Sequence, residues 1–98
     1  MAHKSEKSAD GTSFHNTRLF TSVNELIKLF GSPDDSNNSG EDKVNFEWVC
    51  ETEKGDVFTI YDWKEYRVLS KDELIQWHIG GKNENITEQA LHEIKSVY

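Results

Sequence analysis

Between Val23 and Phe30 the apolar residues Val23, Leu26, Ile27 and Phe30 recur at i, i+3, i+4 and i+7, one stripe along a helix. Ser22, with Glu25 three residues on, forms an N-cap pair that satisfies two backbone donors reciprocally, and Gly31 followed by Pro33 ends the element. From Val44 the period falls to two, with Val44, Phe46, Trp48 and Cys50 on one face and Asn45, Glu47, Val49 and Glu51 on the other, as in a half-buried strand. Glu53-Lys54-Gly55-Asp56 then makes a tight reversal, Gly55 being free to take positive φ, into a strand over 57–63. That strand is apolar on both faces and so belongs in the interior of a sheet. Periodicity leaves the hairpin register open, and a slip of one residue decides whether Phe58 or Tyr61 shares a face with Trp48.

Outside this block, 12–20 alternates loosely and reads as a first strand or extended arm, and 64–70 as a loop or short strand extension. Ser70 with Glu73 caps a single turn holding Leu74 and Ile75, after which 76–79 is a strand closed by Gly80-Gly81. Thr87 reads as the N-cap of a last helix, with Ile86 and Leu91 as a hydrophobic staple and Ala90, Leu91, Ile94, Val97 and Tyr98 as its buried stripe. The expected fold is α+β, an antiparallel sheet with two helices packed on one face in the order β-α-β-β-β-α. Residues 12–98 would form its single domain. The polar segment 1–11 is expected to be a disordered tail, and the turn-rich segment 32–43 a flexible acidic loop.

Composition narrows the function classes. Ninety-eight residues suffice for one core, and 35% hydrophobic with 11% aromatic side chains is too rich for a disordered chain. Of the formal charge of −7, −6 falls within 31–56, where eight acids face Lys43 and Lys54. Such a region repels phosphate backbones, so direct nucleic-acid binding is not expected. The acidity serves solubility or steering toward a basic partner surface, including mimicry of nucleic acid. Cys50 is the only cysteine and lies in an apolar alternation, which reads as a small buried hydrophobe in a reducing compartment. The N-terminal residues hold no apolar run and no 18-residue apolar segment exists, so a cytoplasmic protein without membrane contact is expected.

Catalytic and metal chemistry find little support. His3, His15, His78 and His92 lack the spacing of a metal site. Asp62 could orient His78 from a neighbouring strand, but no Ser or Cys nucleophile stands in a recognisable elbow, so the expectation is a non-enzymatic protein with no cofactor. Two helices on one sheet face leave the other partly bare. Glu47 and Glu51 on that face with Tyr61 of the central strand, and Trp63 and Trp77 at one end of the sheet, are the candidate partner-binding residues, and a second copy paired through a two-fold is an alternative cover. The alternative is a small-ligand sponge for a nucleotide or other phosphorylated signal, built from Lys64, Arg67, His78, Gly81 and Lys82 if these gather at one sheet end.

Three blocks carry a resemblance: LIKLFG followed by Ser32-Pro33, then FEWVCETEKGDVFTIYDWKEY, then QWHIGGK. Across about residues 12–95 the chain is similar to small uncharacterised proteins encoded by tailed bacteriophages and some large DNA viruses, the YDWK and WHIGG blocks being the specific ones. That family has no assigned activity to carry over, and the asparagine-rich loop at 34–43 looks inserted. The resemblance implies a context, in which small phage proteins bind and block a host or defence protein in the host cytoplasm.

Overall fold

The computed structural model describes residues 2–97. They form an α+β fold with strands β1 (His3–Lys4), β2 (Ser13–Thr21), β3 (Asp35–Ser36), β4 (Phe46–Glu51), β5 (Val57–Tyr61) and β6 (Ile75–Gly81), and helices α1 (Val23–Phe30) and α2 (Glu84–Lys95). All strand pairs are antiparallel, in the order β1-β4-β5-β6-β2, with β3 beside β1 on the free edge of β4. The expected β-α-β-β-β-α order therefore holds, with β1 and β3 as two short additions.

Register settles the faces. Trp48 pairs with Ile60, Cys50 with Phe58 and Ile60 with Ile79, so Phe58 and not Tyr61 shares the helix-covered face with Trp48. The reversal is longer than the tetrapeptide expected: Glu51 pairs with Val57, and Thr52 N–H donates to Asp56 O at 2.9 Å while Gly55 takes φ 90°. Trp48 and Trp77, both fully buried, meet edge to face at 5.6 Å in the middle of the core. Their indole N–H groups also find carbonyl partners. Trp77 donates to Thr21 O just before α1, and Trp48 to Gly31 O just after it, so two core tryptophans hold both ends of that helix.

α1 follows its sequence signals. Ser22 accepts from Glu25 N–H, Gly31 takes φ 78°, and Val23, Leu26 and Phe30 are buried. α2 starts earlier than expected. Asn83 is the cap, accepting from Ile86 N–H at 3.0 Å, and Thr87 lies inside the helix, buried, with its hydroxyl 2.7 Å from that of Thr17. Ala90 and Ile94 are buried as expected and Leu91 packs at the margin. Val97 is exposed, and Tyr98 falls outside the described residues. Ser70 and Glu73 make a turn, but Ile75 already belongs to β6 and Leu74 is exposed.

Two segments expected to lack structure carry hydrogen bonds. Within 1–11, β1 adds to β4 by pairing His3 with Glu51 and Lys4 with Cys50, and Ala2 and Ser5 are buried. Within 32–43, β3 pairs Asp35 with Glu47, and Asn38 exchanges two hydrogen bonds with the backbone of Leu69. Both segments are polar in composition, and pairing with an edge strand needs no apolar side chains.

Candidate functional site

Both helices cover one face of the sheet, through contacts such as Phe30 on Phe58, Thr87 on Thr17 and Ile94 in the core. The opposite face carries the alternate residues of each strand. Across its middle row Asp35, Glu47, Tyr61, His78 and Arg18 stand side by side on β3, β4, β5, β6 and β2. The row beside it holds Val49, Thr59, Gly80 and Phe14.

Four rings on this face form one cluster around His78. Phe14 stacks on the imidazole at 4.0 Å and 14°, Trp63 lies at 6.3 Å and 28° on a roughly parallel plane, and Tyr61 meets it edge-on at 5.5 Å. Cations sit at both ends of the stack: the Arg18 guanidinium lies 5.0 Å from the Phe14 ring, and Lys43 and Lys64 lie 5.8 and 5.6 Å from Trp63. Burial, then the Arg18 charge, holds the His78 imidazole below its ordinary pKa. A bulge between Phe14 and Arg18, with Asn16 at φ 66°, sets four steps of β2 against two of β6 and so brings Phe14 opposite Gly80, beside the Arg18–His78 pair, while Thr17 turns in toward α2. Gly80 leaves room beneath the cluster, since a Cβ there would lie 3.4 Å from the Tyr61 ring and 2.6 Å from Thr59 Oγ1.

The other edge of the face is acidic. Burial, and then Asp35 and Asp34, raise the Glu47 carboxyl above its ordinary pKa, and among the described residues no cation lies within ion-pair distance of it. Tyr61 is raised by burial and by Glu47. Glu51 differs, because its carboxylate accepts from Ser5 Oγ at 2.8 Å and from His3 at 3.0 Å, with Lys7 at 3.6 Å. The N-terminal arm thus occupies Glu51, which corrects its assignment as a free contact.

Of the partner-binding candidates, Glu47, Tyr61 and Trp63 come together on the open face. Trp77 does not: β6 alternation turns it into the core, where no partner reaches it. The sponge set is dispersed. β5 and β6 run antiparallel, so Lys82 follows the end of β6 next to Phe58, while Lys64 lies beyond the Tyr61 end. Arg67 is held by a two-point pair with Glu73 in the 62–74 connection, and Glu65 lies 3.7 Å from it. Gly81 faces α2, a Cβ there lying 2.9 Å from Thr87 Cγ2, so this glycine serves helix packing rather than an anion. Two open hollows, of about 570 Å³ around Ile27 and Leu74 and about 370 Å³ around Lys54 and Asn85, include none of the five sponge residues.

Asp62 does not orient His78. It is fully buried, and its carboxylate accepts from Asn45 N–H and Phe46 N–H, each at 2.8 Å, and from Asn45 Nδ2 at 3.0 Å. Asn45 continues this clamp to Arg67 O and Gly40 N–H. The clamp fixes the chain on either side of Trp63, which positions the ring cluster. Phe14, Arg18 and Phe20, the last 60% exposed, are site residues that periodicity missed. The loose alternation of 12–20 was their only signal, and the bulge obscured it.

No helix is long and apolar enough to cross a membrane, and no cluster of three or more metal-ligating side chains occurs among the described residues. Comparison of the chain with protein-family models, curated proteins and solved structures finds no match, so the functional reading rests on the geometry of this face.

Proposed function

We propose that the protein is a small, acidic, non-enzymatic binding module that acts through protein-protein contact on its open sheet face. The observation that carries this reading is the uncovered cluster of Phe14, Tyr61, Trp63 and His78, bordered by Arg18 at its Phe14 end, by Lys43 and Lys64 at its Trp63 end, and by Glu47 and Asp35 along the β3 edge. Aromatic and arginine side chains of this kind dominate binding energy at protein interfaces. The cluster is poorly suited to base stacking, because Phe14 and His78 cover one another and cations overlie the Phe14 and Trp63 rings. The resemblance to phage and viral proteins extends the proposal to an inhibitor of a host or defence protein in the host cytoplasm. A phosphate sponge is the weaker reading, since its cationic residues lie at opposite ends of β6 or are already paired.

The test is affinity capture from host lysate with matched variants. Trp63→Ala and Arg18→Glu should lose proteins that the wild type and an α2 surface variant, Glu88→Gln, retain. An identical captured set for all four chains would remove the open face from recognition.

A further inference from the structure

The middle row of the open face is antisymmetric in charge, with Lys43 and Lys64 set apart from it beside Trp63. Along this row the side chains run from Asp35 and Glu47 at one edge through Tyr61 and His78 to Arg18 at the other. Glu47 and Arg18 stand three strand spacings apart, about 14 Å. The row's centre falls between β5 and β6, between Tyr61 and His78. Resting on the reading that this face is a recognition surface, we propose that a second copy of the chain covers it in a two-fold dimer whose axis runs parallel to the strands between β5 and β6.

That axis exchanges the two edges. Arg18 of each copy then meets Glu47 of the other, Tyr61 lies over His78, and Val49 lies over Phe14, which joins apolar groups. A two-fold axis perpendicular to the strands would instead set Arg18 against Arg18 and Glu47 against Glu47, a like-charge juxtaposition that disfavours it. Among the described residues Glu47 has no ion-pair partner, which fits the first arrangement, because a cation brought opposite it would offset its burial and its acidic neighbours. Four strand spacings by roughly 25 Å of strand length give about 500 Å² per copy, or about 1,000 Å² in total, near the lower limit of specific interfaces. The dimer is therefore weak and concentration-dependent, and a heterologous partner with a larger contact would displace it.

Sedimentation equilibrium on the full chain, over a series reaching about 1 mM, tests this, since that range reports dissociation constants of interest for a small interface. The wild type should dimerise, and Arg18→Glu and Glu47→Arg should each weaken association at least about tenfold. The double variant should regain it. An equimolar mixture of the two single variants should form a heterodimer, seen by native mass spectrometry with one chain isotope-labelled, because both contacts are then of opposite sign. A wild type that stays monomeric throughout overturns the proposal, as does a dimer indifferent to both reversals or a mixture of folded single variants that does not associate. Should Glu47→Arg fail to fold, Glu47→Gln replaces it and should weaken the dimer without rescuing Arg18→Glu. If association fails while open-face substitutions still abolish heterologous capture, the recognition reading stands and only the dimer falls. A dimer with capture indifferent to the face gives the reverse.

Discussion

Replacing Asp62 by Asn tests the clamp that positions the ring cluster. The side chain keeps its size, so the change is confined to charge and to one acceptor turned donor. If the amide oxygen takes the place of the oxygen facing Asn45 N–H and Phe46 N–H, both bonds persist as neutral ones. Losing their charge-assisted character costs about 0.5–1 kcal/mol each. The new NH₂ then confronts Asn45 Nδ2 at the former 3.0 Å contact. Asn45 cannot turn its amide over freely, because its Oδ1 accepts from Gly40 N–H and its Nδ2 also donates to Arg67 O. A buried donor facing a donor costs about 1–3 kcal/mol. Together these come to about 2–5 kcal/mol, a large share of a small domain's stability, and correspond to a fall in Tm of roughly 10–25 °C. Urea and thermal unfolding followed by tryptophan fluorescence would measure it, with Glu88→Gln as the exposed control expected within about 0.5 kcal/mol of wild type. A change for Asp62→Asn no larger than the control's would refute the clamp.

Three further outcomes follow from the structure. Gly81→Ala should destabilise by about 1–3 kcal/mol by forcing α2 off the sheet, since the new methyl would lie 2.9 Å from Thr87 Cγ2 and 3.3 Å from Ile86 Cγ2; unchanged unfolding would return Gly81 to consideration as a ligand residue. Burial pushes the Cys50 thiol up to about 12, so a thiol-reactive dye should label the folded protein far more slowly than the urea-unfolded chain, and equal rates would refute its burial. His78 has a folded pKa below its unfolded value of 6.5, so the unfolded chain binds the proton more readily. Its share of stability is whole above the unfolded value and declines as pH falls toward the lower folded one, and His78→Gln should flatten that slope in denaturation midpoints taken between about pH 5 and 8.

What the chain alone determined is local. The Ser22 and Gly31 caps of α1, the alternation of β4 from Phe46 onward, the positive φ at Gly55 and the burial of Cys50 are set by neighbours within a few residues and hold in the structure, whereas Ile27 of the α1 stripe is exposed and Asn45, read as outward, is buried. The α2 cap was misread, since Thr87 has the residue type of a cap, whereas Asn83 caps the helix and the Thr87 hydroxyl bridges to Thr17. Residues far apart in sequence decided the rest. Whether Tyr61 faces out or in, and whether Trp77 belongs to the core or the surface, depends on a hairpin register that periodicity leaves free by one place. The antiparallel run of β5 and β6 separates Lys82 from Lys64, and the bulge in β2 shifts the register so that Phe14 lies opposite Gly80, within stacking distance of His78. Asp62 looked like a partner for His78 on strand spacing alone. Only the folded chain brings Asn45 and Phe46 N–H groups to that carboxylate, because a buried charge is stable where several donors converge, and that convergence is a property of tertiary structure.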